Sequence, residues 1–563
     1  MRIPLFPTAR TSTVGLLAAL LSPCAATASD PGSTQLRDQQ RQLNHLEQQQ
    51  RLERWQQRAQ PASVAPTTQT APREAPCWAL PGVRLTGNRL LATSVLEQAL
   101  QPLLRSCMSK NDINALLKAI TEHYVHAGYP MSRPYLARTP EPGEPLSIVI
   151  VEGFVESIEL QDDLPLSLHG AFPGLLGQPL YLPDFDQGLD QLNRLRTFDL
   201  GLDLLPGEAP GGTRVVLRSQ RPAPSRWHLE SRLDNRGSDL TGRHRLNLGL
   251  GLDSPLGLND DLRLSLMTPV FHAPGQMLGT SLSYGLPYGP WSFNLNASHA
   301  TYQSPLPGGR HTNSGSAHLV GLNVERLLWR NAQGRLGSSL QLAHKRLDNY
   351  IDDQRLFQQS ATLTTLEAGA NLLWLGDGLW MGYIGLSQGL GWFSADREPL
   401  ARFAPQPRFR KYRASLTHLR SGPPQRPWHW ASELNLQYSP HLLPAIEQML
   451  LTEDQAVRGF RQQLLSGASG AVWRNTFSHA LGLPMPVEIR PHLGLDLGWG
   501  RYSELRASGH RTPHRLAGAA LGVELSRPDT RLRLDYQRPL HDSEQPRKAL
   551  ERGFWVLDWT LTL

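Results

Sequence analysis

No run approaching 18 consecutive apolar residues follows the N-terminal segment, which excludes a chain threaded through a membrane by helices. Cysteine is scarce: 3 in 563 residues, of which Cys24 lies in the N-terminal segment. Cys77 and Cys107 alone make a poor metal site. No phosphate-binding glycine loop is present, because Gly249-x-Gly251 sits inside a strand-like run where glycine suits a lumen wall. The 19 histidines show no metal-ligand spacing, and no Ser/His/acid spacing selects a catalytic triad. Neither an enzyme nor a metal or cofactor is expected. The net charge of +7 is spread along the chain. That fits solvated loops and a wet interior better than a nucleic-acid patch.

What is abundant is glycine (49) and proline (45), as many turns require. The N-terminus reads as a signal peptide, 1–28. Arg2 and Arg10 precede the apolar run Val14 to Leu21, and Ala26-Thr27-Ala28 is a cleavage site. Pro23 directly before Cys24 argues against lipid attachment there. In an exported protein, Cys77 and Cys107 most simply form one disulfide. Closing such a loop contributes about 3–4 kcal/mol in the chain-entropy model.

Residues 33–60 lack Gly and Pro and are rich in Gln and Arg, which predicts a helix. It would be roughly 42 Å long. It is polar nearly all round, so it suits a water-filled lumen, a solvated spacer or a weak coiled coil. Residues 61–76 form a Pro/Thr/Ala linker. Two small α/β modules follow, 77–153 and 154–220. The first carries strands at 83–87 and 146–152 and a helix at 111–127 with Ile113, Leu116, Leu117, Ile120 and Tyr124 on one face. The second carries strands at 155–160 and 214–218 and a helix at 183–196 with Phe185, Leu189, Leu192 and Leu195 aligned.

From Arg226 the pattern changes to period two. In 243–253, Leu246, Leu248, Leu250 and Leu252 face one way, and Arg245, Asn247, Gly249 and Gly251 the other. A soluble sandwich also alternates. A membrane barrel turns its apolar face to lipid and its polar face inward. Trp555, Leu557, Trp559, Leu561 and Leu563 share one face of the last strand, which favours the barrel. Eleven strands before Ser439 and five after Gly470 predict a transmembrane β-barrel of 16 antiparallel strands over 226–563. Residues 439–470 form a long loop on the side away from the modules.

That loop carries Val457-Arg458-Gly459-Phe460. In 492–500, Leu493, Leu495, Leu497 and Trp499 face lipid, which turns Asp496 inward between Gly494 and Gly498. Two readings are open. The loop folds into the lumen and Arg458 pairs with Asp496 in a shielded site, or both are independent solvated charges.

These motifs resemble the outer-membrane transporters of two-partner secretion, the TpsB proteins of the BamA-like superfamily. Val457-Arg458-Gly459-Phe460 is similar to that family's VRGF/Y motif at the tip of an inward-folded sixth loop. Gly494 to Gly498 is similar to the wall motif whose aspartate pairs with that arginine. Leu233-Asp234-Asn235-Arg236-Gly237 resembles the first barrel strand. Gly128 to Arg133, with Val151-Glu152-Gly153 and the cysteine pair, resembles the first POTRA domain, POTRA 1 (77–153). Leu189 to Leu195 and Pro206-Gly207 resemble the second, POTRA 2 (154–220). The chain departs from the pattern at Thr452-Glu453-Asp454, where the family has Gly-Gly.

The resemblance implies a plug role for the 33–60 helix and POTRA domains in the periplasm of a Gram-negative bacterium. It implies export of a large β-helical TpsA-type partner, captured unfolded and passed through the barrel, with outer-membrane lipid around it and no nucleic acid. The alternative is a BamA-like factor that assembles outer-membrane proteins. That alternative would carry more POTRA domains than the two that fit here.

Overall fold

The computed structural model describes residues 77–563, apart from 222–224, 240, 272, 307–309, 332, 358, 401–403, 424, 454, 463 and 502–512. The predicted signal peptide 1–28, helix 33–60 and linker 61–76 lie outside the described residues.

In the first module the helix Lys110–His126 begins at a reciprocal cap. The Ser109 hydroxyl accepts from the Asp112 N–H at 3.3 Å, and the Asp112 carboxylate accepts from the Ser109 N–H at 2.9 Å. Ile113, Leu116, Ile120 and Tyr124 pack onto Leu146, Ile148 and Ile150 of the central strand Leu146–Val151. That strand runs parallel to Val83–Thr86 and antiparallel to Arg133–Leu136. Glu152 gathers three donors: the N–H groups of Arg89 and Leu90 at 2.7 and 2.8 Å and the Tyr124 hydroxyl at 2.8 Å. The motif Val151-Glu152-Gly153 is thus a clasp between strand, loop and helix. Cys77 and Cys107 are joined in a disulfide beside the pairing of Cys77–Trp78 with Met108–Ser109.

The second module sets the helix Leu182–Leu192 against a sheet in which Gly212–Ser219 lies between Phe154–Leu160 and Leu200–Pro206. The helix stops at Leu192, short of the predicted Arg196. The Asn193 side-chain amide donates to the Leu200 carbonyl at 2.9 Å and accepts from the Leu200 N–H at 2.7 Å, which turns the chain into the next strand. Leu195 stays buried beyond the helix end.

Sixteen long antiparallel strands, counted among the described residues, close into a barrel from Trp227–Asp234 to Phe554–Thr562. A two-residue strand, Gln354–Arg355, extends one far-end hairpin. Closure pairs Trp559 with Leu233 and Asp558 with Asp234. Leu229 and Leu563 then exchange backbone hydrogen bonds of 2.9 and 2.8 Å. A closed ladder leaves no edge unpaired, as a lipid environment demands. The alternation is plain in Glu488–Arg501. Leu493, Leu495 and Leu497 are about half exposed on the outer surface, whereas Asp496 is 1% exposed inside.

The second module is seated on the near rim of the barrel. The Asn259 side chain exchanges two hydrogen bonds with the Ser167 backbone. Asp253 accepts from the Thr197 N–H and hydroxyl at 2.9 and 3.0 Å. Arg194 pairs with Asp261, and Arg330 with Asp190.

Candidate functional site

The long loop turns inward. Its two arms pair as a short hairpin, Met449–Leu450 against Ser466–Gly467, and the tip beyond them reaches the barrel wall. Leu451, Ala456, Val457, Phe460 and Leu465 of the loop form a dry cluster with Val472 and Leu516 of the wall. Burying such side chains contributes about 1.5–3 kcal/mol each. The apolar members of the tip motif therefore hold the loop, and they shield its cation from water.

Arg458 is 1% exposed. Its Nε and Nη2 donate to the two Asp496 carboxylate oxygens, both at 2.6 Å. Its own backbone N–H donates to the same carboxylate at 3.0 Å. Nη2 also reaches the Asn475 carbonyl at 3.1 Å and the Thr476 hydroxyl at 3.2 Å. A two-pronged guanidinium–carboxylate pair with added acceptors is the arrangement in which a buried ion pair is retained.

The glycines make the room. A side chain at Gly494 would overlap the Arg458 guanidinium. A Cβ at Gly498 would sit 2.6 Å from the Val457 side chain. Gly459 has φ +97°, a left-handed conformation that favours glycine, and its N–H donates to the Gln537 side chain at 3.3 Å. Farther along, Glu551 accepts from the Arg461 N–H at 2.8 Å and the Gln462 N–H at 3.0 Å. The Arg461 guanidinium bonds to the Asn235 carbonyl, next to the closing seam.

The structure thus places Val457, Arg458, Gly459 and Phe460 against Gly494, Asp496 and Gly498, while Cys77 and Cys107 lie apart in the first module. Sequence reasoning missed three charges at the base of the loop. Glu447 meets Lys345 and Lys411 there at 2.7 and 2.6 Å. One signal was present: Glu447 is the only charge in the stretch Leu442 to Leu451. Beneath the loop the barrel encloses a cavity of about 810 Å³. Its lining is ionic, with Arg232, Arg263, Arg413, Glu367 and Glu433 among the wall residues and Leu450 and Ala456 from the loop.

Comparisons with known proteins agree with this architecture. The model of the family described as haemolysin secretion/activation protein ShlB/FhaC/HecB matches residues 211–525. A ShlB-type POTRA domain matches 78–153 and a further POTRA domain 154–206. The haemolysin transporter protein ShlB of Serratia marcescens is 35% identical, over 93% of this chain and 90% of its own. The haemolysin transporter protein HpmB of Proteus mirabilis is 34% identical, over 82% of each chain. The solved structure of CdiB from Escherichia coli superposes with a TM-score of 0.84 at 27% identity, covering 95% of this chain and 99% of that one. The relatives are named as transporters, which favours transport over the assembly-factor alternative. The chain belongs to the haemolysin secretion/activation family ShlB/FhaC/HecB, the outer-membrane transporters of two-partner secretion, with its barrel in the outer membrane and its POTRA domains in the periplasm.

Proposed function

We propose that this chain carries one large secreted protein of haemolysin or adhesin type, β-helical once folded, across the outer membrane. The POTRA domains, 77–153 and 154–220, take up the client while it is unfolded. The client passes through the barrel, and its folding outside draws the rest of the chain along. The reading assigns the protein no catalytic step, no cofactor, no metal and no nucleic acid. Its non-protein partner is outer-membrane lipid.

One observation supports this most: a loop bound inside the lumen by a buried but reversible ion pair, above an ionic cavity. Such a loop closes the conduit at rest and can yield to a passing chain. In this reading Arg458 and Asp496 are the latch. Val457 and Phe460 shield it, and Gly459, Gly494 and Gly498 give it space. The Cys77–Cys107 disulfide braces the first client-binding domain.

The test is genetic and biochemical. A large β-helical protein encoded beside this chain should reach the medium only when the chain is present, and should be held in the periplasm when it is deleted. Release without the chain would overturn the reading. General loss of other outer-membrane proteins on deletion would favour the assembly-factor alternative.

A further inference from the structure

Glu447 lies at the base of the inward loop, in the short turn Ala445–Glu447, and is 2% exposed. The Lys345 ammonium donates to its Oε1 at 2.7 Å, and the Lys411 ammonium to its Oε2 at 2.6 Å. The lysines come from two separate wall strands, Gly334–Ile351 and Arg410–Ser421. The Gln437 side chain adds a hydrogen bond to the Glu447 carbonyl at 3.1 Å. Each carboxylate oxygen has its own cation, so the group is saturated, and removing it leaves two shielded ammoniums facing one another.

This cluster is remote from the tip. Five long strands separate the Lys345 strand from the Asp496 strand around the barrel. The loop is therefore fastened to two different stretches of wall. It crosses the interior between them, and Lys345, Lys411, Glu447 and Ala456 all line the cavity beneath.

We propose that Glu447 is a second anchor of the loop, a positioning residue that holds its base while Arg458 holds its tip. The inference rests on reading the loop as the closure of the conduit. It adds that the closure is a strap with two separately releasable ends. Opening then takes two forms. Release of the tip alone swings the loop about its base, and release of both ends frees the lumen.

The experiment uses the full chain, purified and placed in planar lipid bilayers with no client. Glu447→Gln removes the carboxylate charge with little change of shape. It should raise the frequency of open-channel events several-fold. The exchange Lys345→Glu with Glu447→Lys restores a pair of opposite charges beside Lys411, and should bring the frequency back toward the starting protein. A merely structural disturbance would not be reversed by this exchange. Wild-type channel behaviour of Glu447→Gln, or an exchange variant as open as the single one, would overturn the proposal. Should Glu447→Gln yield no heat-modifiable barrel, Lys345→Gln decides, because it leaves Lys411 and Glu447 as a balanced pair. Raised opening supports the second anchor, and unchanged opening overturns it. Client release is not measured, so failure here leaves the export reading standing.

Discussion

Asn259, in a near-rim turn of the barrel, and Ser167, in the second POTRA domain, exchange two hydrogen bonds of 2.8 Å each. The side-chain amide of Asn259 gives its oxygen to the Ser167 N–H and its nitrogen to the Ser167 carbonyl, as a partner strand would. Asn259 has φ +63°, which Asn tolerates better than most residues. Asn259→Gly keeps that backbone and removes the amide. It should loosen the domain by about 1–3 kcal/mol. Spin-label distances between the second POTRA domain and the barrel should broaden, and a distribution as narrow as wild type would count against the clasp.

Arg458→Ala should leave a folded, heat-modifiable barrel and weaken loop docking by about 3–5 kcal/mol, because Asp496 is left buried and unpaired. Secretion should fall. Asp496→Arg should do the same, and Arg458→Asp with Asp496→Arg should rescue in part only. The Asn475 carbonyl and Thr476 hydroxyl also bind the cation where it now stands. Additive single effects in the double-mutant cycle would deny the contact.

Gly494→Ala tests space without touching charge. The added methyl would occupy the position of the guanidinium, so the loop tip should leave the wall. A cysteine placed at Phe460 should then react with a membrane-impermeant thiol reagent from outside. Protection equal to that of the parent protein would mean that the wall can yield.

The first POTRA domain should lose stability when its disulfide is removed. The bridge spans a sequence separation of 30 residues, and Cys77→Ser with Cys107→Ser should cost about 3–4 kcal/mol in the chain-entropy model. Thermal unfolding followed on the POTRA domains of the full chain measures this. A melting point unmoved by the double substitution would remove the bracing role.

Acid should fray the start of the helix Lys110–His126. The Ser109 hydroxyl, then the Ser109 N–H, hold the Asp112 carboxyl below its ordinary value. A depressed carboxyl supports the fold above its unfolded pKa, about 4, and the support is lost as pH falls through the lower folded value. Amide exchange at Asp112 should quicken in that window. Ser109→Ala should abolish the pH step, and a step that persists would place its origin elsewhere.

The barrel was legible because a two-residue period survives any local error in strand ends. Asp496 could be turned inward from Leu493, Leu495 and Leu497 alone. The tip motif could be placed on a far-side loop by counting strands. The direction in which that loop folds was not in the periodicity, because it depends on Leu451, Val457 and Phe460 finding Val472 and Leu516 across the lumen. Asn193 hid the end of the second helix, since its side chain replaces the next turn with a bond to Leu200. Glu447, Lys345 and Lys411 were invisible as a set. Their sequence separations of 102 and 36 residues carry no local pattern, and only closure of the wall brings them together.

The two ends of the long loop are neighbours. Gln437 and Gly470 face each other as one rung of the ladder, so the wall is continuous beneath the loop. No wall bond need break when the loop moves. The energy of opening is set by the loop's own contacts alone, and the membrane seal is indifferent to whether the passage is blocked or clear. Closure and containment are thus separable properties of one chain. A variant that has lost its latch can still be a sound barrel, and sequence can change in the latch without risk to the wall.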